Sequence, residues 1–357
     1  MRKLFFTILV LLFLCTHVLA QESVLPDTDD LAQSLPKEAA ELMDETSPTQ
    51  QLDLWSQVKR IVRTALAGGV DPRESLRVCV ILLAVAMLCA LTRLISDNAA
   101  DNAVACAGAL GLCTAFLFGF RSMMQIAVQA LEQMTDYTGC LMPILAGTAS
   151  IQGAVGASTA LYGGTMLFSQ LLMRLITTLL IPGTYFFIAV ATAEAALQNE
   201  TLSELRELLG WLISKSLRII LYVFTAYMTL TGVVKGAADA TAVRAAKAAL
   251  SGMVPVVGGI LSDASETLLA GAGMLKSTVG VFGMLAVLSI CITPFLRVGL
   301  QYLLLKLTAA VSGTVGLRTH VALIKHFSTA LGFLLGMCGV CAMLSLISVI
   351  CFLKVVV

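Results

Sequence analysis

Charge is what this chain has least of. Only 13% of its 357 residues are charged, while 58% are hydrophobic; soluble globular chains carry about a quarter charged residues. So little charge cannot cover a water-soluble surface of this size, and much of the outer surface must face lipid. The net charge of +1 lacks the basic excess that nucleic-acid binding uses, which removes nucleic acid as a partner. Aromatics are sparse at 6%, and the three histidines are His17, His320 and His326. The last two read as parts of a basic loop with no acid or thiol beside them, a poor metal site. There is no G-x-x-x-x-G-K-[ST] loop, so nucleotide hydrolysis by the chain itself is not expected. Nor is there a hydrolase constellation. The residues imply no catalytic group, no cofactor and no metal.

What is present begins with a secretion signal over residues 1–20. Arg2 and Lys3 form a positive start, Leu4 to Leu14 an apolar run, and Val18-Leu19-Ala20 a cleavage pattern before Gln21. The run is short for a membrane span; the alternative is an uncleaved first anchor. The signal implies that the chain after residue 20 starts outside the cytoplasm. Residues 21–50 hold eight acidic residues, one lysine and Pro26, Pro36 and Pro48, a composition that reads as an acidic flexible segment. Residues 51–75 form an amphipathic helix and linker. Leu54, Trp55, Val58, Ile61, Val62, Ala65 and Leu66 recur at helical spacing, and Gly68-Gly69 ends the helix. With Lys59, Arg60 and Arg63 in the gaps, it either lies on anionic lipid or packs on the membrane domain.

Residues 76–357 read as an all-α multipass membrane domain of about seven to eight spans, some broken or re-entrant. About 20 helical residues cross a bilayer core. Charge-free runs that read as spans are Val78–Thr92, which is short, Asn102–Phe120, Leu175–Ala193, Ile219–Val234, Ser277–Leu296 and Phe327–Leu353. Tyr137–Met173 is charge-free but carries six glycines and Pro143, too long for one span and too broken for two regular ones. The final run of 27 residues is roughly 40 Å of straight helix, so it must tilt or kink. Basic residues do not settle orientation, because the five from Lys59 to Arg77 would lie outside if the signal is cleaved. Nine of the ten cysteines fall in apolar runs, where free cysteine acts as a small hydrophobe. Cys338-Gly-Val-Cys341 has no βαβ setting for redox chemistry. Gly332, Gly336 and Gly339 lie a turn apart, a spacing that lets helices pack closely.

Few polar residues stand out. Asp263 and Glu266 are three apart, after Pro255 and Gly258-Gly259. They form either a capping box at a helix start or an ion or proton site in a broken helix. Lys276 follows the next apolar run. Arg174 interrupts a long apolar stretch, and a helix is expected from about Gly164 to Ile181 that stops at Pro182-Gly183. Arg174 then sits either near mid-membrane, where a charge marks function, or at an interface between two spans. Glu194 is no local partner for it, since about 30 Å of helix would separate them.

The stretch Val243–Gly283, VRAAKAALSGMVPVVGGILSDASETLLAGAGMLKSTVGVFG, resembles the stage III sporulation protein AE family of endospore-forming bacteria. A basic helix, then V-P-V-V-G, then S-D-A-S-E-T, an apolar run and L-K-S-T-V-G follow one another in the family's order. Met142-Pro143-Ile144-Leu145-Ala146, Gly153 to Ser158, Ile181-Pro182 and Leu305 to Ala310 agree with it as well. The resemblance implies a multipass component of a secretion-like channel linking mother cell and forespore, in the mother-cell membrane around the forespore. It implies other membrane subunits, ring formers and a separate ATPase as partners, besides the lipid bilayer. A stand-alone secondary transporter and a membrane scaffold are the rival readings; a transporter should show internal repeats with paired broken helices.

Overall fold

The computed structural model describes residues 34–43, 54–68, 72–95, 101–151, 155–230, 278–314 and 318–355. Among them there is helix and no strand. The elements are α1 (Lys37–Met43), α2 (Leu54–Gly68), α3 (Pro72–Ile95), α4 (Asp101–Ile151), α5 (Val155–Leu175), a π-turn (Ile176–Leu180), α6 (Ile181–Leu197), α7 (Glu200–Leu230), α8 (Thr278–Gly313) and α9 (Arg318–Val355). Six helical stretches among the described residues are long and apolar enough to cross a membrane: Arg73–Thr92, Ala103–Gly147, Thr159–Leu197, Thr201–Met228, Val279–Gly313 and Thr319–Phe352.

The helices are longer than the charge-free runs suggested. Asn102–Phe120 and the start of the Tyr137–Met173 run join into the 51-residue α4. At 1.5 Å per residue it is roughly 75 Å long, more than twice the thickness of a bilayer core. The joining segment is polar but keeps helical spacing. Arg121, Gln125, Gln129, Glu132 and Asp136 fall at four- and three-residue intervals, and all five are exposed. Leu110 and Phe118 continue the same face upstream, and Phe118 is 88% exposed. One face of α4 therefore changes from apolar to polar between Phe118 and Arg121.

The expected helix stop at Pro182-Gly183 does not occur. Proline lacks an N–H, and in a regular helix its ring collides with the carbonyl four residues back, here that of Thr178. The chain widens by one residue instead: Ile176–Leu180 forms a π-turn, and the Ile181 N–H donates to the Ile176 carbonyl. The helix direction continues into α6. It ends at Gln198, which adopts the left-handed conformation (φ 52°) and donates its N–H to the Glu194 carbonyl at 2.8 Å. Asn199 then caps α7, its Oδ1 accepting the Thr201 N–H at 2.9 Å. This tight corner turns α7 back along α6.

α9 is the axis of the bundle; 89% of its most apolar stretch is buried against protein. α4 runs parallel to it. Phe116 stacks on Phe327 with ring centroids 4.2 Å apart, and further along Thr138 Oγ1 and Ser345 Oγ lie 3.1 Å apart. The α5–α6 rod runs the opposite way, with Thr165 Oγ1 donating to Ser348 Oγ at 3.1 Å and Phe187 edge-on to Phe333. In an apolar setting a hydroxyl needs a partner, and two of these four also bond a carbonyl one turn back, Thr138 to Met134 at 2.7 Å and Ser348 to Leu344 at 2.9 Å. Glycines mark the closest helix approaches. A methyl on Gly119 would lie 2.8 Å from Val78 of α3, and one on Gly283 of α8 2.6 Å from Leu141 of α4. Gly332, Gly336 and Gly339 are all buried on α9.

Two N-terminal pieces fold onto this bundle. α2 forms where periodicity placed it and packs on α8, with Ile61 and Ala65 buried. This is the packing alternative for the amphipathic helix. Part of the acidic segment is ordered too: α1 turns Ala39, Leu42 and Met43 inward. Arg60 of α2 donates to the Met43 carbonyl at 2.7 Å, which closes the C-terminal end of α1.

Candidate functional site

Charged side chains gather where α6, α7 and α9 meet. The corner at Gln198-Asn199 sets Glu194 of α6 beside Arg206 of α7, and their Oε2 and Nε atoms lie 2.6 Å apart. The Arg206 side chain is only 14% exposed, and it also reaches Glu207 at 3.6 Å. A pair this sheltered tolerates the loss of one partner badly, because the other charge is then left in an apolar place. His326 of α9 approaches from the other side, its ring edge-on to Phe187 with centroids 6.4 Å apart. Both His326 and His320 therefore stand on a helix, not in the basic loop the sequence suggested. Histidine, like the other residues between Arg318 and His326, continues the helical period of the apolar run after it.

Two cavities flank this cluster, and His326 lines both. One, of about 380 Å³, is bounded by Phe187, Arg206, Trp211, Lys215, Arg218 and Phe333 among others. The other, of about 310 Å³, lies nearer the α6–α7 corner and is lined by Glu194, Gln198, Asn199, Ser203 and Thr319. A third, of about 100 Å³, is mostly polar and sits between α1, α4 and α8, with Glu38, Gln129, Gln133, Ser289 and Thr293 on its walls. The first cavity combines cations with aromatic walls. That combination suits an anionic head on an apolar body.

Of the residues singled out from sequence, Arg174 lies on the last turn of α5, immediately before the π-turn, and is exposed. Gly183 packs on Ile213, so Arg174 stands within about one turn of the level of Arg218. Glu194 is not its partner and binds Arg206 instead. Asp263, Glu266 and Lys276 lie outside the described residues, as do the signal over 1–20 and most of the Val243–Gly283 block. The Glu194–Arg206–His326 group was missed because Glu194 read as the charge that ends a span and His326 as part of a basic loop, with no motif in the sequence to join them to Arg206. The signal that could have found it is the pairing of an acid near the end of one span with a base a turn and a half into the next helix.

The architecture defines an all-α polytopic membrane protein, a bundle of long apolar helices with a charged cluster set into one side. Residues 38–355 match the family of stage III sporulation protein AE, and the chain belongs to that family. It is 26% identical over 202 residues to stage III sporulation protein AE of Bacillus subtilis (strain 168), an alignment covering 56% of this chain. That alignment spans half the length of the curated relative. No solved structure matches the chain.

Proposed function

We propose that this sporulation protein is a multipass, non-enzymatic subunit of a secretion-like channel complex linking mother cell and forespore, seated in the mother-cell membrane around the forespore. The observation that carries the reading is that the family match covers residues 38–355, the same span as the helical bundle. Its partners are other membrane subunits and a separate ATPase, which supplies any energy the complex uses. The close helix contacts at Gly119 and Gly283, and the buried glycines of α9, suit a chain whose work is packing against other helices. On this reading the segment after the signal lies outside the cytoplasm.

Reconstitution tests the subunit reading against the secondary transporter. The purified chain alone in liposomes should take up no ions or small solutes, either with ATP or under an imposed gradient. Robust gradient-driven uptake without ATP would overturn the proposal in favour of a transporter.

A further inference from the structure

The cavity between α6, α7 and α9 holds an uncompensated pair of cations. Lys215 and Arg218 both line it and both are half-buried. Among the described residues neither makes an ion pair or a side-chain hydrogen bond, and the Arg218 Nε is buried with no partner. The acid among the lining residues, Glu207, lies 3.6 Å from Arg206, which also pairs with Glu194. An unpaired guanidinium nitrogen in an apolar wall is costly unless an anion meets it. The apolar part of the wall is Phe187, Phe333 and Trp211, the last 58% exposed at the outer edge, and Arg206, Glu207, Ser214, His326 and Thr329 also line it.

The level of this cavity in the bundle identifies the anion. On α4 the exposed face turns from apolar to polar between Phe118 and Arg121. α3 lies antiparallel beside it, Val78 against Gly119, and its exposed face makes the same change between Val80 and Arg77. Arg297 of α8 is one turn from Gln301, which reaches Cys79 of α3, so it stands at that level as well. Tyr185 of α6 meets Phe120 edge-on, and Gly210 of α7 lies against Phe187. Trp211 is thus at the level of that change on α3 and α4, and Lys215 and Arg218 are one and two turns beyond it, before the exposed Ile219, Tyr222 and Val223 of α7. An aromatic ring at the apolar edge with cations just beyond it is the arrangement that meets a lipid headgroup.

We propose that this cavity is a binding site for an anionic phospholipid, with the phosphate between Lys215 and Arg218 and an acyl chain along Trp211 and Phe187. The chain has two tryptophans, so Trp55→Phe leaves Trp211 as the reporter. The full chain carrying that change is placed in phosphatidylcholine vesicles containing brominated phosphatidylglycerol or, separately, brominated phosphatidylcholine. Quenching of Trp211 should favour the anionic lipid by roughly thirtyfold in apparent affinity, the size expected for two basic residues at a membrane surface. Lys215→Gln with Arg218→Gln should abolish the preference, and Lys215→Arg with Arg218→Lys should keep it. Unchanged quenching by brominated phosphatidylcholine shows that the variants retain the fold around Trp211. Equal quenching by both lipids in the parent protein would overturn the site, as would occur if Asp239, Asp263 or Glu266 supplied the countercharge. A preference that survives the glutamine pair would overturn it too. Displacement of the anionic lipid by excess inorganic phosphate would replace the lipid with a small soluble anion.

Discussion

Adjacent glycines on α5 should respond to the same substitution in opposite ways. A methyl on Gly164 would lie 2.7 Å from Cζ and 2.8 Å from Oη of Tyr227 on α7, whereas Gly163 has nothing within 4 Å. Tyr227 cannot simply swing aside. Its hydroxyl donates to the Ala160 carbonyl at 2.7 Å, and its ring leans on Phe168 with centroids 5.7 Å apart. Forcing bulk into a packed contact costs about 1–3 kcal/mol, and losing an interhelical hydrogen bond inside a membrane protein adds about 0.6 kcal/mol. Alanine recovers up to about 1 kcal/mol of helix propensity at either position. Gly164→Ala should therefore destabilise by about 1–3 kcal/mol, and Gly163→Ala should be neutral or slightly stabilising. The assay is reversible unfolding in mixed micelles, read as the shift in midpoint. In a Tyr227→Leu background the Gly164→Ala penalty should shrink toward that of Gly163→Ala, because the clashing ring is gone. Equal effects at the two glycines, or a Gly164→Ala penalty that persists without the ring, would refute the packing of α5 on α7.

Three further outcomes follow from named residues. Gly332→Leu or Gly336→Leu, at buried positions on α9, should lower folded protein or its co-purification with partner subunits, checked by size-exclusion yield and pull-down. Asp263→Asn and Glu266→Gln should weaken folding by roughly 0.5–2 kcal/mol through loss of a helix cap; loss of sporulation function at normal protein level would favour an ion site. Intact mass of the purified protein should show a mature chain starting near Gln21, and a mass retaining Met1 to Ala20 would mean an anchor.

Much of the bundle was legible because the bilayer constraint is strong. Val78–Thr92 and Ser277–Leu296 are apolar runs with a charge at or close to each end, and each lies within or largely within a described helix. Helix length was harder to read. Arg121, Glu132 and Asp136 break the apolar runs of α4, yet their spacing keeps them on one exposed face, so the helix passes through them. Pro182 looked like a stop because the sequence does not reveal that a single wide turn can absorb its missing N–H. The charged cluster was least legible. Glu194 and Arg206 meet only because Gln198 takes a left-handed turn, and His326 joins them only because α9 lies alongside. Partners this dependent on tertiary packing leave no periodic trace in the chain.

The most direct test of the subunit reading is affinity purification of the tagged full-length chain from sporulating cells in mild detergent. Blue-native electrophoresis and mass spectrometry of the eluate then give its companions. The account predicts a large assembly in which other multipass membrane proteins and an ATPase accompany the chain in reproducible ratios. Recovery of the chain alone, at the mass of one protomer or a simple homo-oligomer under every solubilisation condition, would contradict it.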